Sequence, residues 1–108
     1  MEKQRLRNLT TRRLHTDIGC VYEDLEFITG TGVMTHMIPD LLAAIRPWLI
    51  EKVTELEYWD DDYNPTLTGA FPLEPMNEDE RKDMLERYEA LAHHRWASRY
   101  RRARRYVL

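Results

Sequence analysis

Cys20 is the only cysteine in the chain of 108 residues, so an intramolecular disulfide is excluded and a thiolate zinc site has too few ligands. The expectation is a reducing, cytoplasmic setting. Long apolar runs are missing too: "LLAAI" at Leu41 to Ile45 is far below the roughly 20 residues that cross a bilayer, so no membrane helix is expected. The basic start "MEKQRLRNL" leads into no apolar stretch or small-residue cleavage site, which argues against a secretory signal. Hydrophobic residues make up 43% and charged residues 32%, which is the composition of a chain that folds rather than of a disordered one. Two separate cores would each be too small in a chain of this length, so one domain is expected.

The net charge is only −3, but it is unevenly distributed. Glu51 to Glu80 holds ten carboxylates against the single Lys52, whereas His93 to Leu108 holds six arginines and no carboxylate. Such a dipolar chain offers its tail to nucleic acid, to an acidic partner or to its own acidic segment, unless the tail is simply a solvated helix end.

Hydrophobic spacing predicts helices. Leu6, Leu9 and Leu14 are the anchors of a short one over Gln4 to Leu14. Ile18, Val21, Tyr22, Leu25 and Ile28 recur at three- and four-residue intervals behind Asp17, a candidate N-cap, and Gly30 can close that helix in the left-handed conformation. Thr31 to His36 reads as an ordered loop or short extended piece. Pro39 suits a first helical turn, and Leu41, Leu42 and Ile45 form a stripe behind it. Pro47 then predicts two segments, Ile38 to Ile45 and Trp48 to Leu56, or one kinked helix. Glu57 to Met76 is a long loop whose aromatics Tyr58, Trp59, Tyr63 and Phe71 either pin it to the core or recognise a partner. Asn77 and Glu80 make a capping box, and Leu85, Tyr88, Ala92, Trp96, Tyr100 and Ala103 carry a helix to about Arg105, about 40 Å long.

Catalytic patterns are weak. Asp60, Asp61 and Asp62 lack the spacing of a calcium loop, and His93 and His94 are adjacent, so on a helix they point about 100° apart rather than at one ion. Cys20 has His15 and His36 as the only nearby candidate bases, with nothing to fix their geometry. "TGTG" at Thr29 to Gly32 lacks the lysine and the strand-to-helix setting of a phosphate loop. A polar constellation remains: Thr10, Thr11, Arg12, Arg13 and His15, with Thr35 and His36. These either converge on one pocket suited to phosphate or carboxylate, or cap two helix ends.

"LTTRRL" at Leu9 to Leu14, "VYEDLEFITG" at Val21 to Gly30 and "MTHMIP" at Met34 to Pro39 resemble a family of small tailed-phage and prophage proteins of unknown function. Their pattern runs "TTGRLL", then a "YEILN" helix ending in "TGD", then "LFTHQLPR". The resemblance spans about Leu9 to Trp48. Thr10, Thr11, Arg13, Tyr22, Thr29, Gly30, Thr35, His36 and Pro39 match, while Arg12, Thr31, Met37 and Asp40 depart from it. It implies a phage or prophage accessory protein acting by binding in the cytoplasm of a bacterial host.

The expectation is therefore an all-α single domain of four to five helices: a helical half at 1–56, an acidic aromatic loop at 57–76 and a long helix at 77–106. It is read as a non-enzymatic counter-defence factor, without cofactor or metal, that inhibits a host immune protein or sequesters a small anionic signalling ligand. Trp59, Asp60, Asp61, Asp62 and Tyr63 would meet the protein partner, and the threonine, arginine and histidine face would hold the ligand. The alternative is a nucleic-acid-binding factor that uses Arg95, Trp96, Arg99, Arg101, Arg102, Arg104 and Arg105. Self-association, acidic loop of one copy on basic tail of another, is the remaining partner expectation.

Overall fold

A computed structural model describes residues 1–11, 13–60, 62 and 64–107, with side chains described as far as His94. Among them are four α-helices and no sheet: α1 (Lys3–Thr11), α2 (Ile18–Thr29), α3 (Ile38–Lys52) and α4 (Glu78–Val107). Single 3-10 turns at Thr35–Met37 and Leu56–Tyr58 flank α3. The fold is all-α, as the spacing predicts.

The first helix is short because its own threonines end it. Thr10 and Thr11 turn their hydroxyls back onto the carbonyls of Leu6 and Arg7, one turn earlier, at 3.3 and 2.6 Å. Such bonds compete with continuation of the ladder. Leu14, expected as an anchor of this helix, lies beyond its end and is exposed. From Leu6 to Thr11 every residue is buried, so α1 runs through the middle of the molecule. It packs on α2, on α3 and on the Leu56–Tyr58 turn.

In α2 the stripe Val21, Leu25 and Ile28 is buried, whereas Ile18, expected on the same stripe, is exposed. Asp17 precedes the helix without a side-chain cap bond. Gly30 closes it at φ 70°, its N–H donating to the Glu26 carbonyl at 2.8 Å. A Cβ there would meet the movable end of the Arg81 side chain at 2.7 Å, so it is the left-handed conformation that requires glycine.

Pro47 does not divide α3. The helix runs through it to Lys52, and the proline lies on the exposed side, away from the core. Val53 turns into the core and ends the helix, so Leu56 does not continue its apolar face. Thr31 to Met34 is a loop, as one of the two expectations has it, with Met34 in extended conformation, and Thr35 and His36 begin the Thr35–Met37 turn.

The capping box forms as its spacing predicts: the Glu80 N–H donates to Asn77 Oδ1 at 2.8 Å and the Asn77 N–H to Glu80 Oε1 at 3.1 Å. Glu80 also accepts the Trp48 indole N–H at 2.8 Å and pairs with Lys52 at 3.2 Å, which fastens the start of α4 to the end of α3. Among the described residues of this helix Met84, not Leu85, is buried, because the face that meets α3 also carries Glu80 and Arg87, whose Nε donates to the Ala44 carbonyl at 2.8 Å.

Between the helices, the strap from Asn64 to Met76 wraps back over the start of the chain. Lys3 N–H donates to Gly69 O at 3.0 Å, Met1 and Phe71 exchange bonds at 2.9 and 2.7 Å, and Met76 N–H donates to Ile28 O at 3.0 Å. Leu73 and Met76 complete the core that α1, α2 and α3 begin.

Removing the cap by Asn77→Ala is expected to cost about 1 kcal/mol in urea unfolding. The bonds to Glu80, first the Asn77 N–H and then Lys52 and Trp48, hold its carboxyl below the usual carboxylate range of 4.5. That contribution is fully present above the unfolded value and is lost as pH falls through the folded one. Thermal unfolding followed from pH 7 to acid should therefore show a loss near and below that range which Glu80→Gln blunts.

Candidate functional site: an acidic knob held from inside

Where α3 ends, the chain turns outward and is held by a cation from the core. Arg7, 3% exposed on α1, donates to the carbonyls of Glu57, Asp60 and Asp62, the Asp60 bond being 2.6 Å. A guanidinium suits this role because its planar fork presents donors in several directions at once, which an ammonium does not. Beside it, the Thr10 hydroxyl donates to the Tyr58 carbonyl. Two buried side chains of one helix thus hold four carbonyls of the segment from Glu57 to Asp62.

Aromatic residues complete the base of the knob. Tyr58 is buried, its ring edge-on to Phe71 at 5.3 Å and 73°, and burial pushes its phenol up. Trp59 is half-buried, donates its indole N–H to the Val53 carbonyl at 2.8 Å, and lies under the Arg46 guanidinium at 5.0 Å. The loop aromatics that are described therefore pin the segment to the core, while Tyr63 lies outside the described residues, as does Asp61.

With its backbone drawn inward, the segment buries its aromatic rings and leaves its described carboxylates outside. Glu55, Glu57, Asp60 and Asp62 are exposed, and Leu56 is 86% exposed among them. Asp60 Oδ1 accepts the Asp62 N–H at 3.0 Å, which fixes the tip as a turn. The result is an ordered acidic projection around a bare leucine. It can meet a basic surface.

The polar constellation of the N-terminal region has a different arrangement. Thr10 is buried and faces Tyr58 rather than an open pocket, which removes it from a ligand face. Thr11 is buried, donates to the Arg7 carbonyl and contacts His15 Nε2 at 3.0 Å. Asn8 closes the following turn, accepting the His15 N–H and donating to Thr16, both at 2.6 Å. Thr35 pairs with the Tyr22 hydroxyl at 2.6 Å, tying the Thr35–Met37 turn to α2. The bonds of Thr11 and Asn8 lie at the end of α1, while that of Thr35 joins two elements. Arg13 and His36 are exposed, and Arg12 lies outside the described residues.

Sequence reasoning misses Arg7 and Leu56. A sign of the first is that Leu6 and Leu9 alone cannot cover a helix buried on every side, so polar residues of α1 had to go inside with partners. Nothing in the sequence marks Leu56, whose spacing fits α3 as well as a turn.

A cleft of about 500 Å³ lies between α3 and the strap, lined by Trp48, Lys52, Phe71, Leu73, Asn77 and Glu80. Trp48, Lys52 and Asn77 all pair with Glu80, as described above, so these polar groups are engaged in joining helices. Among the described residues no three His, Cys, Asp or Glu side chains gather as a metal site, and no helix is long and apolar enough to cross a membrane. The side chains of Arg95, Trp96, Arg99, Arg101, Arg102, Arg104 and Arg105, the nucleic-acid candidates, lie outside the described residues.

A family model for a domain of unknown function, DUF7736, matches residues 1–59, and the chain belongs to that family. The matched stretch contains α1, α2, α3 and the Leu56–Tyr58 turn, with Arg7 and the first half of the knob. No curated protein and no solved structure matches the chain.

Replacing Arg7 by methionine removes charge-assisted bonds to three carbonyls and is expected to destabilise the protein by about 2–4 kcal/mol in urea unfolding. Arg7→Lys should recover less than half of this loss, since one ammonium cannot span the same carbonyls.

Proposed function

We propose that this member of the DUF7736 family is a non-enzymatic accessory binding protein of phage or prophage, a counter-defence factor that blocks a host protein by seating its acidic knob in a basic groove. The observation that carries this reading is the Arg7 anchor, which holds the knob in shape before any partner arrives. A preformed projection avoids the ordering cost that a free loop of this length meets on binding. Leu56 supplies the apolar centre that energetic anchors of interfaces require, and the surrounding carboxylates supply steering and register. A ring of acidic groups on an ordered backbone also imitates the charge of nucleic acid, so a groove that normally holds a phosphate backbone fits it.

The phage setting is supported by the resemblance at Leu9 to Leu14, Val21 to Gly30 and Met34 to Pro39, all inside the matched stretch. Sequestration of a small anion by the N-terminal face is less well supported, because the hydroxyls of Thr10, Thr11 and Thr35 are engaged within the fold.

The test is capture of host proteins on the immobilised protein, followed by titration of the recovered partner against wild type and knob variants. Leu56→Ala is expected to weaken binding by about 2 kcal/mol, roughly thirtyfold. Asp60→Asn with Asp62→Asn is expected to slow association and flatten its salt dependence. A partner that binds all three proteins equally would overturn the reading. So would a small anion that stays with the purified protein in native mass spectrometry and is lost in Arg13→Ala.

A further inference from the structure

Two apolar and two acidic residues of the knob line a shallow hollow of about 280 Å³: Leu56 and Trp59, with Glu57 and Asp60. Small-molecule sites enclose roughly 300–1,000 Å³, so this hollow is on the scale of a single side chain. It is open as well as small, and an occupant would come attached to something larger.

Each lining residue is fixed by a contact of its own. The Trp59 indole N–H donates to the Val53 carbonyl at 2.8 Å, and the Trp59 backbone N–H to the Leu56 carbonyl at 3.0 Å. Arg7 holds the carbonyls of Glu57 and Asp60 from the core side. Asp60 Oδ1 accepts the Asp62 N–H at 3.0 Å, which orients that carboxylate. Among the described residues no cation pairs with Glu57 or Asp60. Arg46 lies over the Trp59 ring at 5.0 Å but does not line the hollow, and Glu55, Glu57, Asp60 and Asp62 outnumber it, so the surroundings stay negative.

We propose that the hollow takes one arginine side chain of a protein partner, its stem on Leu56 and Trp59 and its guanidinium between the carboxylates of Glu57 and Asp60. Such a side chain meets both halves of the lining, because its methylenes cover apolar surface while the charged head stays at the edge in water. A guanidinium is more weakly hydrated than an ammonium, stacks flat on aromatic rings and presents a planar fork to carboxylates. Carboxylates alone would attract any cation. The apolar walls add the preference for a long stem with a flat head. This assignment rests on the knob being the docking surface and names what that surface reads: a basic partner with an arginine at the centre of the contact.

Titration of the isotope-labelled full chain with the end-blocked tripeptide Gly-Arg-Gly, and with its lysine and citrulline counterparts, tests it without any host protein. The arginine peptide is expected to shift the Leu56 methyl and Trp59 indole N–H resonances together, with a millimolar dissociation constant. The lysine peptide should bind about threefold more weakly and the neutral citrulline peptide about fivefold. Leu56→Ala and Glu57→Gln should each weaken the arginine peptide about threefold while the Tyr58 amide keeps its protection from exchange, which shows the knob intact. Equal affinity for arginine and lysine, shifts confined to the carboxylate residues, or no shift would each overturn the assignment. A failed arginine peptide beside a captured host protein that loses affinity on Leu56→Ala would leave the knob reading standing and remove this one. Selective binding of the arginine peptide with no host protein captured would do the reverse.

Discussion

The guanidinium of Arg7, buried in the middle helix and bonded to backbone carbonyls of the Glu57 to Asp62 segment, is the contact on which the exposed surface depends. A buried cation is costly unless its donors are met, and here the two terminal nitrogens of Arg7 are met by backbone, not by a carboxylate, while its Nε has no partner among the described residues. The consequence is directional. Carbonyls drawn inward leave the acidic side chains of the same residues outside, so one interior residue shapes a charged exterior. Thr10 extends the same device one turn along α1.

The rest of the core closes around that helix from two directions. Leu6, Leu9, Val21, Leu25, Ile28, Leu41, Ile45 and Leu49 come from the first three helices, and Leu73, Met76 and Met84 from the strap and α4. The last three lie outside residues 1–59, so the family stretch does not close its own core in this chain. Strap and start of chain are bonded backbone to backbone, from Lys3 to Gly69 and between Met1 and Phe71. The strap and the start of α4, which follow the family stretch, are part of its folding and not an appendage.

Much of the architecture was legible in residue spacing. The α2 stripe, the glycine that ends it, the proline that opens α3 and the capping box that opens α4 depend on local chemistry and are found where that chemistry puts them. What was not legible depends on distant partners. Pro47 looks like a break until its exposed position is known, and Met84 rather than Leu85 faces the core because α3 presents Ala44 and Trp48 to α4. The threonines were marked out as polar candidates, but whether a hydroxyl meets a ligand or a carbonyl is set by the tertiary fold. Arg7 is the extreme case: its three partner residues lie 50 to 55 positions away.

An acidic knob anchored through α1 joins the stability of the fold to the shape of an exposed charged surface, since Arg7 supports both. Amide hydrogen exchange measures that link most directly. In wild type the Tyr58 and Trp59 amides, bonded to Glu55 and Leu56 carbonyls, should be protected well beyond an open loop, and in Arg7→Lys they should exchange near their intrinsic rates while Leu25 and Ile28 in α2 stay protected. Knob amides that already exchange freely in wild type, or that are indifferent to Arg7, would contradict the account.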